Sequence, residues 1–285
     1  MAMTTSTLDI RPISGAVGAE IHGVDLTSTM SDDLFAEIRQ AYDDYGVIFF
    51  RDQDLTPEHH IAFAERWSDI NINRFFTPVD GYPMIAEVRK EPGQQANIGS
   101  RWHTDHSYDQ VPAMGSVLYA LEVPTKGGDT IFASMAAAYD ALSDGMKAAL
   151  DGLEAHHSSR HAFGLNARKM KSTFGIDQAY NNPDLATQDA IHPVVLTHPR
   201  TGRRGIYVNG DFTTHFVGWT KTESQPLLEM LYAHATRPQF TGRFRWEKGS
   251  VALWDNLAVQ HCAVNDYQGE RRLMHRITIE GTPLD

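Results

Sequence analysis

Cysteine is almost absent from this 285-residue chain. Cys262 stands alone, which excludes an internal disulfide framework and fits a reducing compartment. Long apolar runs are missing as well. No window approaches about 18 uninterrupted apolar residues, and Met1 to Asp9 lacks the apolar core of a signal peptide, so a soluble, cytoplasmic protein is expected. Basic charge is in deficit: Lys plus Arg number 25 against 36 for Asp plus Glu, a net charge of −11. That balance argues against nucleic acid or an anionic membrane surface as partner. It leaves room for a small anion, because one or two local arginines outweigh a distant negative field. Repeats, charge blocks and linker-like tracts are also lacking. What is present is a globular composition, 41% hydrophobic and 21% charged. The length suits a single domain over residues 1–285 that buries roughly 75% of its unfolded surface.

The punctuation predicts short strands and a few helices. Leu8 to Pro12 and Ala19 to Leu26 read as strands around glycine turns. Ser31 caps a helix to about Tyr45, with Asp32 and Asp33 at its positive end. Gly46 to Arg51 is a buried strand, and Thr56-Pro57 opens a helix to about Trp67. Past residue 100 the pattern is strand-rich, with candidates at 114–121, 129–132, 193–197, 204–208, 244–247, 250–254 and 273–279. Two helical stretches interrupt it. One is alanine-rich and runs from Ser134 to Glu154 with a break near Ser143. The other follows the capping box Thr220-x-x-Glu223 to about Ala235. Such a pattern predicts a mostly β fold with flanking helices, a two-sheet sandwich or jelly roll. Residues 155–192 are polar and irregular and read as an insertion or lid.

Arg101-Trp-His-Thr-Asp-His-Ser-Tyr108 carries the most chemistry. Taken as a strand, it points His103 and Asp105 one way and Thr104 and His106 the other. A third ligand is available at His261, at the end of a segment that begins at Trp254. Two His and one carboxylate on one face leave the opposite positions of an octahedral metal open, as in non-haem Fe(II) oxygenases. The spacing alone leaves a purely structural role open, and His106 is an alternative to His103. Cys262 faces away on an extended strand and reads as a packed thiol. His156, His157 and His161, like the other histidines, read as structural or solvated. Ten to fifteen residues beyond His261, Arg271 to Arg276 reads as an adjacent antiparallel strand. Alternation puts Arg272, Met274 and Arg276 on one face and Arg271, Leu273 and His275 on the other. Arginines on an inward face need an anion, whether a ligand or a protein carboxylate.

An ordered series of motifs spans almost the whole chain: Gly23-Val-Asp-Leu, Phe50-Arg-Asp-Gln, Trp102-His-Thr-Asp, Gly127-Gly-Asp-Thr130, Ala136-Ala-Ala-Tyr-Asp-Ala-Leu, His192-Pro-Val-Val, Thr197-His-Pro, Trp254-Asp-Asn, and His261 followed at eleven by Arg272. The series resembles the TauD/TfdA family of Fe(II)- and 2-oxoglutarate-dependent dioxygenases. The resemblance implies a double-stranded β-helix, a cupin-like jelly roll, with iron on His103, Asp105 and His261. It assigns the distal carboxylate of 2-oxoglutarate to Arg272, helped by Thr130. With O₂ such enzymes yield succinate and CO₂ and hydroxylate a bound substrate. Asp105, where related halogenases have a small residue, favours hydroxylation.

Arg276 stands where taurine-oxidising members hold the sulfonate, so the resemblance implies a small anionic substrate. Those members also carry a His, a Tyr and an Asn where this chain has Asn73, Phe76 and Gly99, which argues against taurine itself. Phe76, Tyr108, Phe75 and Phe163 are candidates for an apolar wall. The expected substrate is an aryloxyalkanoate, sulfonate or alkyl sulfate, oxidised beside its heteroatom with bond cleavage; arylated acids suit Phe76 best. Family resemblance also implies a homo-oligomer, dimer or tetramer. Two rivals use the same residues differently: a zinc hydrolase on the three ligands, which leaves Arg272 and Thr130 unexplained, and a non-catalytic jelly-roll binding module, which has no need of a complete triad.

Overall fold

The computed structural model describes residues 8–165 and 182–284. Its largest sheet has nine strands. In spatial order they are Asp9–Pro12, Ala19–His22, Val47–Phe50, Val251–Asp255, Gly115–Glu122, Arg272–Ile279, Tyr82–Lys90 and Pro78–Val79, with Ile70–Asn71 also paired to Arg272–Ile279. Pairing is antiparallel except between Ala19–His22 and Val47–Phe50. A second sheet, Thr241–Phe244, Thr130–Ser134 and Val259–Ala263, faces it to make the jelly roll.

The central strands are covered on both faces, which is why Val47-Ile-Phe-Phe50 is continuously apolar rather than alternating. Val47, Phe49, Leu118, Ala252, Trp254 and Met274 point between the sheets and meet Phe132 and Phe244. The Phe49 and Phe244 rings stack at 3.9 Å. The alternate residues Ile48, Phe50, Val117, Leu253 and Ile277 pack outward against the helices Asp32–Tyr45 and Pro57–Glu65 through Ile38, Tyr42 and Phe63. The helix starts are those the sequence marks. Ser31 accepts from Leu34 N, and Thr220 with Glu223 closes a reciprocal capping box. Gly46 ends the first helix at φ 70°, where a Cβ would stand 2.9 Å from Val259 Cγ1.

Four sequence expectations need correction. The alanine-rich stretch breaks into Met135–Asp140 and Asp144–Leu150, recapped at Ser143, and ends before Glu154 because Gly152 turns the chain at φ 74°. The strand expected at 244–247 is Thr241–Phe244; beyond it the Trp246 indole donates to Thr130 Oγ1. Val259–Ala263 and Arg272–Ile279 are not neighbours but belong to opposite sheets. The polar stretch 155–192 is not irregular at its ends: Glu154–Ser158 pairs with Asp189–Pro193 and with Thr213–Phe216. Its middle, 166–181, lies outside the described residues.

Candidate metal centre

His103 and His261 meet across the mouth of the sandwich as an isolated antiparallel bridge, exchanging backbone hydrogen bonds of 3.1 and 2.8 Å. Their rings stand 4.2 Å apart. The segment around His103 is not a strand beyond this bridge. Asp105 reaches the same spot because the chain turns immediately after it, and His106 sits at φ 59°. A turn, and not strand alternation, therefore brings His103 and Asp105 together. The donor atoms of His103, Asp105 and His261 lie within 4.8 Å of one another, and all three residues are buried.

The site fits a first-row metal on its own chemistry. The His103 ring contacts the Arg101 carbonyl through Nδ1 at 2.7 Å, which places the proton on Nδ1 and leaves Nε2 as a lone-pair donor. Burial pushes the His261 imidazole down to about 3, so it is neutral and able to ligate. Burial pushes the Asp105 carboxyl up, but Arg276, then His261 and His103, outweigh it and hold it well below the usual carboxylate range. Two imidazoles and one carboxylate make an N/N/O set of the kind that leaves positions open on a metal. His106 lines the neighbouring cavity but is taken by Asp109, 2.9 Å from its Nδ1, and Asp109 is held in turn by Arg74 at 2.6 Å. Cys262 points to the Ser100 carbonyl at 3.3 Å, away from the triad.

Two cavities flank these three residues, and both include His103, Gly99 and Arg276 in their walls. The first contains Thr130, Trp246, Leu118 and Arg272. Arg272 is 5% exposed, and its Nε and Nη2 have no hydrogen-bond partner among the described residues. Burial drives the guanidinium pKa down, and its nearest aromatic face is Trp246 at 5.6 Å. A buried, unpaired guanidinium is destabilising by itself and is chemically matched to a carboxylate ligand.

The second cavity is lined by Asn73, Phe76, Tyr108, Phe163 and Phe212 with Arg276, beside His103 and Asp105. The expected residues Asn73, Phe76, Tyr108 and Phe163 all reach it. Asn73 is half committed: its Oδ1 accepts from the backbone N–H of Phe75 and Phe76. Phe75 lies behind the wall, stacked on Phe163 at 4.4 Å. Gly99, at φ 75°, leaves open the space in which an added Cβ would stand 3.3 Å from His103 Cε1. Sequence reasoning missed two participants. Phe212 meets Tyr108 edge-on at 4.8 Å, presented by a turn in which Asn209 accepts from the N–H of Asp211 and Phe212. Ser116 accepts from Arg276 Nε at 3.2 Å and Nη2 at 2.9 Å. The Asn-Gly pair marks the first turn; Ser116 is the polar residue just before the apolar run Val117 to Leu121 of its strand.

Most of the other histidines are spoken for. His157 is buried against Ser107, His156 stacks on His215, His161 meets the Asp211 carbonyl, and His60 meets the Val117 carbonyl. Among the described residues, no second group of three ligands forms.

Comparison with known proteins agrees with this arrangement. The family model described as "Taurine catabolism dioxygenase TauD, TfdA family" matches residues 9–278. An alkylsulfatase of Acinetobacter baylyi is 32% identical over 97% of this chain and 86% of its own length. An alpha-ketoglutarate-dependent sulfate ester dioxygenase of Pseudomonas putida is 34% identical over 96% of this chain and 90% of its own. The crystal structure of a taurine dioxygenase from Burkholderia xenovorans superposes with a TM-score of 0.81 at 36% identity, over 97% of this chain and 92% of that one.

Proposed function

Since this chain belongs to the TauD/TfdA family and is an Fe(II)- and 2-oxoglutarate-dependent dioxygenase, we propose that it oxidises sulfate esters with an apolar tail at the carbon bearing the ester oxygen. His103, Asp105 and His261 hold the iron, and Arg272, with Thr130 beside it, holds the distal carboxylate of 2-oxoglutarate. Iron so bound, with 2-oxoglutarate and O₂, supplies an oxidant that replaces a C–H hydrogen by hydroxyl and leaves succinate and CO₂.

The observation that carries the substrate class is the position of Arg276. Its Nη2 lies 2.9 Å from Asp105 Oδ2, so an anion on this guanidinium has its head beside a metal ligand. Only carbons within a bond or two of that head can face the metal, and the tail lies along Phe76, Tyr108, Phe163 and Phe212. These rings orient an apolar chain and exclude water. Hydroxylating the carbon beside the ester oxygen gives a hemiacetal sulfate, which breaks its C–O bond to release an aldehyde and hydrogen sulfate. Taurine suits this wall less well: beside the four aromatic rings its amine would meet Asn73, half committed to the backbone, and Asp211, already paired with Arg101. The similarity to the two sulfate-ester-cleaving relatives supports the same choice over aryloxyalkanoates. We place the enzyme in the cytoplasm, where its one thiol stays reduced.

The test is succinate release from anaerobically Fe(II)-loaded protein on adding O₂ with hexyl sulfate, hexanesulfonate, phenoxyacetate or taurine. Sulfate and hexanal should appear in step with succinate for hexyl sulfate, and Arg276→Leu should remove that coupling. Coupled turnover of phenoxyacetate but not of hexyl sulfate would replace the sulfate-ester reading.

A further inference from the structure

Arg276 carries two loads. Ser116, a neutral and fully buried hydroxyl, accepts from its Nε and Nη2. Nη2 also stands 2.9 Å from Asp105 Oδ2, an ion pair in which both side chains are 8% exposed. Among the described residues no other carboxylate lies within ion-pair distance of this guanidinium. The carboxylate offered to the metal is therefore already neutralised by the cation assigned above to the substrate anion. Arg272, on the same face of the same strand, makes no ion pair among the described residues.

We infer that Arg276 couples the binding of the substrate anion to the binding of the metal. A divalent cation arriving at Asp105 must share that carboxylate with a guanidinium in a buried, weakly screening environment, so Arg276 opposes it. An anion seated on Arg276 cancels this opposition, and metal affinity rises. By linkage, the metal raises the affinity for the anion by the same factor. The direction of the anion effect rests on the substrate reading above; the opposition of Arg276 to the metal does not.

Titration with Co(II), followed by its visible d–d absorption and independent of turnover, tests the inference. Without any anion, Arg276→Leu should bind Co(II) about tenfold more tightly than the unmodified protein, within the usual span of coupling between sites. Hexyl sulfate should tighten Co(II) on the unmodified protein by a similar factor; hexan-1-ol should not, and Arg276→Leu should show no anion effect. Arg276→Lys, which keeps a cation, should retain the anion effect and serves if the Leu variant does not fold. Unchanged or weaker Co(II) binding by folded Arg276→Leu would overturn the inference, because Arg276 would then be neutral toward the metal or a support for it. Calorimetry of hexyl sulfate separates the two readings. Binding that leaves Co(II) affinity unaltered overturns the coupling while sparing the substrate; no binding at all removes the substrate, and the anion-free comparison still decides whether Arg276 opposes the metal.

Discussion

Arg272 and Arg276 project from one face of one strand beside His103, Asp105 and His261, Arg272 into one flanking cavity and Arg276 at the boundary of both, yet one guanidinium is bare and the other is tied. Arg272 has two unpartnered nitrogens over Trp246, whereas Arg276 is held by Ser116 and Asp105. A bare buried cation is an unstable arrangement that a ligand of fixed structure resolves, always in the same way. A cation already paired within the protein keeps its place whatever anion arrives, and leaves the aromatic wall to choose the rest of the molecule. On the proposed assignment, the Arg272 end is thus built around one guest, the Arg276 end around a class of guests.

The sharpest way to break this contrast is Arg272→Met. Loss of the guanidinium proposed to hold the cosubstrate carboxylate should remove about 3–5 kcal/mol, a drop of at least a hundredfold in 2-oxoglutarate affinity by calorimetry. The same substitution should raise the melting temperature of the ligand-free protein, because it deletes an unpaired buried charge. A lowered melting temperature would show that Arg272 is not bare in solution. Ser116→Ala acts at the other end and should be milder. It removes a hydroxyl that accepts from a charged donor, worth about 1.5–3 kcal/mol, so KM for a sulfate ester rises roughly tenfold or more while 2-oxoglutarate affinity stays as it was. Equal losses at both ends would mean that the two cavities are one site.

The smallest effect is a background common to every variant. His60 lies in the helix Pro57–Glu65, and burial pushes its imidazole down from 6.5 to about 3. The folded state therefore refuses a proton that the unfolded state takes. Stability is fully present well above pH 6.5 and declines as pH falls toward 3, by about 1 kcal/mol at pH 5.5 from this residue. Urea titrations at pH 7.5 and 5.5 should show the decline, and His60→Gln should reduce it. An undiminished decline would assign the acid sensitivity to other buried histidines such as His157, whose imidazole burial also pushes down.

Much of the site was legible because its signals are local. The alternation of Arg272, Met274 and Arg276 against Arg271, Leu273 and His275 survives intact, with Arg271 outside on Glu91 and Glu122. The His-x-Asp spacing marked two residues that the structure does bring together, even though a turn, and not a strand, carries Asp105 inward. What was illegible depends on which strand lies beside which. Nothing local tells that Val259–Ala263 and Arg272–Ile279 face each other from opposite sheets, or that Ser116 lies beneath Arg276. Phe212 was hidden for a similar reason: its turn is marked by Asn209-Gly210, but the destination of that turn is set by packing on Tyr108.

The bridge between His103 and His261 also has a consequence in time. These partners are separated by more than half the chain, so their mutual hydrogen bonds belong to the slow, non-local class of contacts. A growing chain on the ribosome presents His103 and Asp105 early, but they stay an incomplete pair until His261 has been made and laid against them. The nascent protein therefore lacks a three-ligand seat for a redox-active metal until both sheets can close, and metal loading reports that the fold is finished.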